Sequence, residues 1–188
     1  MKKRLPLLLF SLLLVGCTQT TPATDTSVEA LPAESDLDEA AKLAALNLTL
    51  PTLGTPKANY LHSVRSGNLV FLAGKGPTRA DGTRITGKLG ADLTVEEGYE
   101  AARLVALQQL AALKLELGNL NKVKRIVKVH GMVNAAPDFT DHSKVINGFS
   151  DLMVEVFGDQ GKHARAAVGM GSLPGGIAVE IEAVVEVY

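Results

Sequence analysis

The chain has 188 residues, 46% of them apolar and 21% charged, with a net charge of −1. That is the balance of one globular domain with a core of its own, and it offers no global field for nucleic acid or anionic membrane. Aromatic residues make up only 4% and tryptophan is absent, so the composition disfavours base-stacking platforms as well.

The N-terminus, MKKRLPLLLFSLLLVGC, opens with Lys2, Lys3 and Arg4 and continues as an apolar run from Leu5 to Val15. The run is shorter than the ~20 residues a spanning helix requires, which marks an export signal. It closes on Leu14-Val15-Gly16-Cys17, which resembles a bacterial lipobox, and Cys17 is the single cysteine of the chain. The expectation is a lipoprotein signal peptide over residues 1–16, with Cys17 carrying the lipid. The domain is then held at the cell envelope, outside the cytoplasmic membrane, facing the periplasm or on the outer membrane. Residues 17–53 comprise the anchor cysteine, a Thr/Pro/Ala-rich flexible linker and a short helix. In that helix Ser35 and Asp38 are placed to cap, and Leu37, Ala41, Ala44 and Leu48 share a face before Pro51. Whether it packs on the domain is left open.

The domain spans residues 54–188. YLHSVRSGNLVFLAGKGP contains two extended stretches around Ser66-Gly67-Asn68, a hairpin signal, and Asp81-Gly82 marks a further tight turn. TVEEGYEAARLVALQQLAALKLELGN is the clearest helix. Thr94 and Glu97 form a capping box, Tyr99, Ala102, Ala106, Leu110, Leu113 and Leu117 supply the buried stripe, and Gly118 stops it. VKRIVKVHGMVN alternates as a strand with Val127, Val129 and Val133 on one face. FTDHSKVINGFSDLMVEVFG is a second helix with Val145, Phe149, Leu152, Met153 and Val156 inward. Two last strands flank the turn at Ser172–Gly176. The order β-β-α-β-α-β-β lacks regular βα alternation and implies an α+β fold, one mixed sheet with two helices packed on one face.

Several motifs fail on inspection. GMGSLP and GKGPTR do not complete a dinucleotide or phosphate loop, and Ser172 lacks the flanking glycines of a nucleophile elbow. The four histidines, 62, 130, 142 and 163, show no metal-ligand spacing. No metal or cofactor is called for.

The C-terminal module carries the specific signal. Ala164-Arg165, then Leu173-Pro174 nine residues on, then VEIEA at 179–183 resembles the YjgF/RidA family of reactive-intermediate deaminases, also known as the endoribonuclease L-PSP family. NYLHSV and LVFLAG add looser support. The resemblance covers roughly residues 55–188 and implies a chorismate-mutase-like fold that assembles as a homotrimer with clefts between subunits. It implies that Arg165 grips the carboxylate of a small 2-imino or 2-keto acid and that Glu180 handles the attacking water. Tyr60 would close the pocket. Backbone at Gly74 and Ala167 would hold substrate, and Asn147 matches the helix asparagine. The pattern departs at Ala166, Ala167 and Ala73-Gly74-Lys75, where hydroxyl, thiol and Ser-Gly-Gln side chains are usual.

The chemistry is coherent without the resemblance. A guanidinium presents a planar fork to a carboxylate and stays charged. One carboxyl group can take a proton from water and return it to departing ammonia. Against this, an arginine on a strand is ordinarily a solvated edge charge, and Glu180, Glu182 and Glu186 are also explained as the outward face of an alternating strand. Three functions follow: hydrolytic deamination of 2-enamino or 2-imino acids, non-catalytic binding of a small carboxylate, and endoribonuclease activity. The near-neutral charge disfavours the last, and no nucleic-acid partner is expected.

Overall fold

The computed structural model describes residues 38–188, so the signal segment, Cys17, the linker, Ser35 and Leu37 lie outside the described residues. Five strands form one sheet: β1 (Ser63–Ser66), β2 (Leu69–Lys75), β3 (Val123–Asn134), β4 (Ala164–Met170) and β5 (Val179–Val187). Their spatial order is β1-β2-β5-β3-β4. All neighbours run antiparallel except β3 and β4, which are parallel. Helices α2 (Val95–Leu117) and α3 (His142–Phe157) cover one face, α2 over β2 and β5, α3 over β3 and β4. The sheet is mixed and the α+β expectation holds.

Local chemistry explains the elements. Ser66 pairs with Leu69 across a two-residue turn in which Gly67 takes φ +61°, a left-handed value a glycine adopts without a Cβ penalty. Thr94 accepts the Glu97 amide while the Glu97 carboxylate accepts that of Thr94, so the capping box closes in both directions. The core is the alternating inward side of β2, β3 and β5 against both helices, with Phe149, Leu110, Leu113, Ile126 and Ile181 buried. Burying a side chain of that size contributes about 1.5–3 kcal/mol.

Three expectations about facing are corrected. Val127 does not share the inward face with Val129 and Val133: it is a bulge residue between the pairs Ile126–Val185 and Lys128–Val184, and is 36% exposed. The extra residue reverses the side-chain parity upstream, so Ile126 points inward instead. Tyr99 lies at the margin of the α2 stripe, half-buried, donating its hydroxyl to Asp151 on α3.

The first helix, α1 (Glu39–Ala45), is shorter than expected, is capped by Asp38 and ends before Asn47 at φ +52°. Ala41 and Ala44 are exposed, and the inward side is Glu39, Leu43 and Leu46. The face is turned because the contact is polar. The Glu39 carboxylate accepts from Lys114 Nζ at 2.5 Å and from the buried amide of Leu120 at 2.9 Å. Leu46, Leu48, Leu50 and Leu53 then lie against the core, so this stretch is docked on the domain.

Candidate functional site

Two clusters of site residues form, on opposite faces of the sheet. Arg165 stands on edge strand β4, in register with Val129 of β3 and, one strand further, Ala183 of β5. Val129 and Ala183 point into the helix layer, and so does Arg165. Its Nη1 donates to Asn147 Oδ1 and to Ser150 Oγ, both at 2.9 Å, and Nη2 reaches the Ser143 carbonyl at 3.4 Å. All three partners belong to α3. Of the five guanidinium donors, the Nε–H and one Nη2–H remain uncommitted among the described residues. That edge of the fork has the geometry to meet a carboxylate side-on.

Ser150 is held in turn. His163, two residues before Arg165 and therefore on the same side of the extended chain, donates Nδ1–H to the Gly161 carbonyl at 2.7 Å. Its Nε2 then accepts the Ser150 hydroxyl at 3.0 Å, leaving the serine oxygen free to take the arginine proton. Burial pushes the His163 pKa down and nearby Arg165 adds to this, while the Gly161 bond opposes it. The neutral ring is thus the form the relay needs. Ala167, in register with Gly131, lies on this same face.

Glu180 faces the other way. It pairs with Met132, which pairs with Val168, and its neighbours Val179 and Ile181 are the buried ones. Its carboxylate packs on Gly74, where an added Cβ would collide with Oε1 and displace the carboxylate. Gly74 sits in a bulge of β2, between the pairs Leu72–Ala183 and Lys75–Ile181. The fully buried Gln109 of α2 pins this bulge, donating Nε2–H to the Ala73 carbonyl (3.0 Å) and the Ile181 carbonyl (2.7 Å). Gly74 and Lys75 open onto a cavity of about 690 Å³ that Tyr60, 50% exposed, also lines.

Of the sequence-expected residues, Arg165, Asn147 and Ala167 therefore share one side, and Glu180, Gly74 and Tyr60 gather round the β2 bulge. Arg165 and Glu180 do not meet within one chain. Ser150, His163 and Gln109 were missed. Ser150 is legible as i+3 from Asn147 on one helix face and His163 as i−2 from Arg165, but only once the arginine is known to face α3.

The fold is thus an α+β sheet with two helices on one face, an arginine on its edge strand held by α3 and a glutamate packed against a strand glycine. The sequence matches, over residues 40–177, the family described as "YjgF/chorismate mutase-like, putative endoribonuclease", and the chain belongs to it. Protein TCP17 of Trypanosoma cruzi is 47% identical over 148 residues, 78% of this chain and 92% of that protein. The solved structure of Atu1372 from Agrobacterium tumefaciens, a protein of unknown function, is 42% identical with a TM-score of 0.73, covering 81% of this chain and 93% of its own. A structure from Shewanella oneidensis, described as a putative endoribonuclease, is 32% identical with a TM-score of 0.76, covering 79% and 99%.

Proposed function

We propose that the protein is a hydrolytic deaminase of 2-imino and 2-enamino acids, working as a homotrimer tethered at the cell envelope through Cys17. The observation that carries this reading is the division of the site. Arg165 and Glu180 issue from opposite faces of the sheet, so one chain brings only half of the chemistry and a neighbouring copy has to bring the other. In the complete cleft the Nε/Nη2 edge of Arg165 grips the substrate carboxylate. A water oxygen bonds to C2 of the imine as Glu180 takes its proton. The carboxyl group passes that proton to nitrogen, giving a 2-amino-2-hydroxy acid. It then moves the hydroxyl proton to nitrogen as the C–N bond breaks and the C2–O double bond forms, and a 2-keto acid and ammonia leave.

Mixed subunits test this directly. Arg165→Ala and Glu180→Gln should each abolish ammonia release from an enzymatically generated imine. Arg165→Ala should also weaken pyruvate binding by about 2–5 kcal/mol, while Glu180→Gln leaves it nearly intact. Refolding the two variants together should restore about a quarter of the sites, because one interface in four pairs an intact arginine with an intact glutamate. No recovery, with both variants folded and trimeric, would sink the split site. A wild type that binds keto acid but never releases ammonia would leave a carboxylate-binding module in its place. For the tether, Cys17→Ser should move the protein from the detergent to the aqueous phase; unchanged partitioning would remove the anchor.

A further inference from the structure

Among the described residues, the cavity beside Tyr60 is lined by cations and by no carboxylate. Lys57, Lys75, Arg79 and Arg84 all border it, in a chain whose net charge is −1. None of the four takes part in an ion pair among the described residues. Asp81, on the same loop, is committed elsewhere: it accepts from the Thr83 amide at 2.9 Å and the Thr83 hydroxyl at 2.7 Å.

Lys75 is the informative member. Three of these cations are exposed and solvated, but Lys75 is half-buried, and among the described residues its Nζ finds only the Ala73 carbonyl at 3.4 Å. Burial pushes its pKa down, with Glu180 pulling the other way from too far to form an ion pair. A lysine normally extends its ammonium into water. Half-burying one without a counterion costs stability, and an anion entering the cavity offsets that cost. Lys75 pairs with Ile181 and so leaves β2 on the helix side, where Leu104, Leu107 and Gln108 of α2 complete the cavity. It also follows Gly74, against which the Glu180 carboxylate rests, so the cavity and Glu180 meet at the β2 bulge.

We infer that this cavity takes a second anionic group, on the side chain of the substrate, and that the preferred 2-imino acid is therefore acidic at both ends. The inference rests on the reading of Arg165 as anchor of the first carboxylate. Lys75 holds the second group at close range, while Arg79 and Arg84 supply the surrounding positive potential. A carboxylate and a phosphate would both satisfy this chemistry, and the probes below separate them.

Calorimetry on the assembled protein distinguishes the possibilities, using keto acids so that binding is read without turnover. The probes are 2-oxoglutarate, its neutral isostere 5-methyl-2-oxohexanoate, and 2-oxo-4-phosphonobutanoate. Wild type should bind 2-oxoglutarate at least about tenfold more tightly than the isostere, an advantage that shrinks with added salt. Lys75→Met should bring that ratio near one while changing affinity for the isostere by less than about twofold, and Arg79→Gln/Arg84→Gln should reduce it partially. Tighter binding of the phosphonate than of 2-oxoglutarate would identify the second group as phosphate-like. Equal affinity for dianion and isostere, or a preference untouched in Lys75→Met, would overturn the inference. Failure of the anchor reading looks different: Arg165→Ala would then leave all three affinities unchanged. Failure of the deaminase reading appears only in turnover.

Discussion

Gln109 offers the most direct test of how the helix layer supports the Glu180 side of the site. Its amide is fully buried and spans two strands, giving both Nε2 protons to the carbonyls of Ala73 and Ile181. The orientation is forced, because two carbonyls can only be donated to. Ala73 belongs to the bulge, where the ladder is interrupted, so its carbonyl depends on this donor and on a long contact from Lys75. Gln109→Leu removes both donors, at about 1–3 kcal/mol for each buried acceptor left bare. It also removes Oε1, which has no partner among the described residues, and that offsets part of the loss. A net cost of about 2 kcal/mol follows, lowering Tm by roughly 4–8 °C for a domain of this size. Gln109→Glu should be worse at neutral pH, since an ionised carboxylate would face two carbonyls with no proton to give. Its folded-state pKa would lie above the unfolded value, so the variant should regain stability as pH falls and lose it as pH rises through the carboxyl range. Thermal melts of the three proteins across pH decide the matter. A Gln109→Leu protein as stable as wild type, or a Gln109→Glu protein no worse than Gln109→Leu at pH 7, would refute this account of the bulge.

Three further outcomes are expected. His163 has its pKa depressed in the folded state, so the unfolded chain binds the extra proton first; stability should be full above the ordinary histidine range and decline as pH falls through it. The difference in melting temperature between wild type and His163→Gln, followed from neutral to mildly acidic pH, should narrow, and a constant difference would contradict it. Arg103 on α2 and Glu155 on α3 form a two-pronged pair at 3.0 and 2.6 Å with side chains 25% and 37% exposed. A double-mutant cycle should give a coupling of about 1 kcal/mol, and a value near zero would place the pair among inert surface contacts. Lys75→Met should raise Tm at pH 7 by relieving a half-buried cation, the reverse of its effect on dianion binding; a lowered Tm would mean that the ammonium already has its partner.

What could be read from the sequence follows the range of the interaction. The capping box of α2, the Gly118 stop and the Gly67 hairpin are set by residues within a few positions of one another, and all appear in the fold. The face of α1 was misread because apolar periodicity cannot anticipate that an acid would be the buried contact, its partners Lys114 and Leu120 lying far along the chain. Val127 was misread because a bulge breaks the period-2 rule without any glycine or proline to announce it. Alternation on β5 does show Glu180 pointing away from the core. No such signal exists for Arg165, since β4 reads ARAAVGM and its small residues favour neither face. The opposite facing of the two charges thus depends on register with β3, which only the folded sheet supplies.

Those same small residues explain why the arginine can be gripped at all. A hydrogen-bonded contact from a strand side chain to three groups on one helix requires that helix to lie close to the sheet. Gly131 on β3 leaves room for Ile146, and Gly169 on β4 for His142, both projecting from α3. Gly148 lets α3 approach the backbone of α2 at Tyr99, where a Cβ would strike the carbonyl. With α3 drawn down at these points, Asn147 and Ser150 come within 2.9 Å of the guanidinium. Bulkier residues would lift the helix and return Arg165 to solvent, where its fork would have to be ordered anew for the proposed carboxylate ligand. Close packing therefore removes an entropic cost of binding before the ligand appears. On the opposite face Gly74 does the same for Glu180, and Gln109 keeps that glycine in place. Each half of the proposed site is preorganised within its own chain, so the proposed trimer would need only to bring the two halves together.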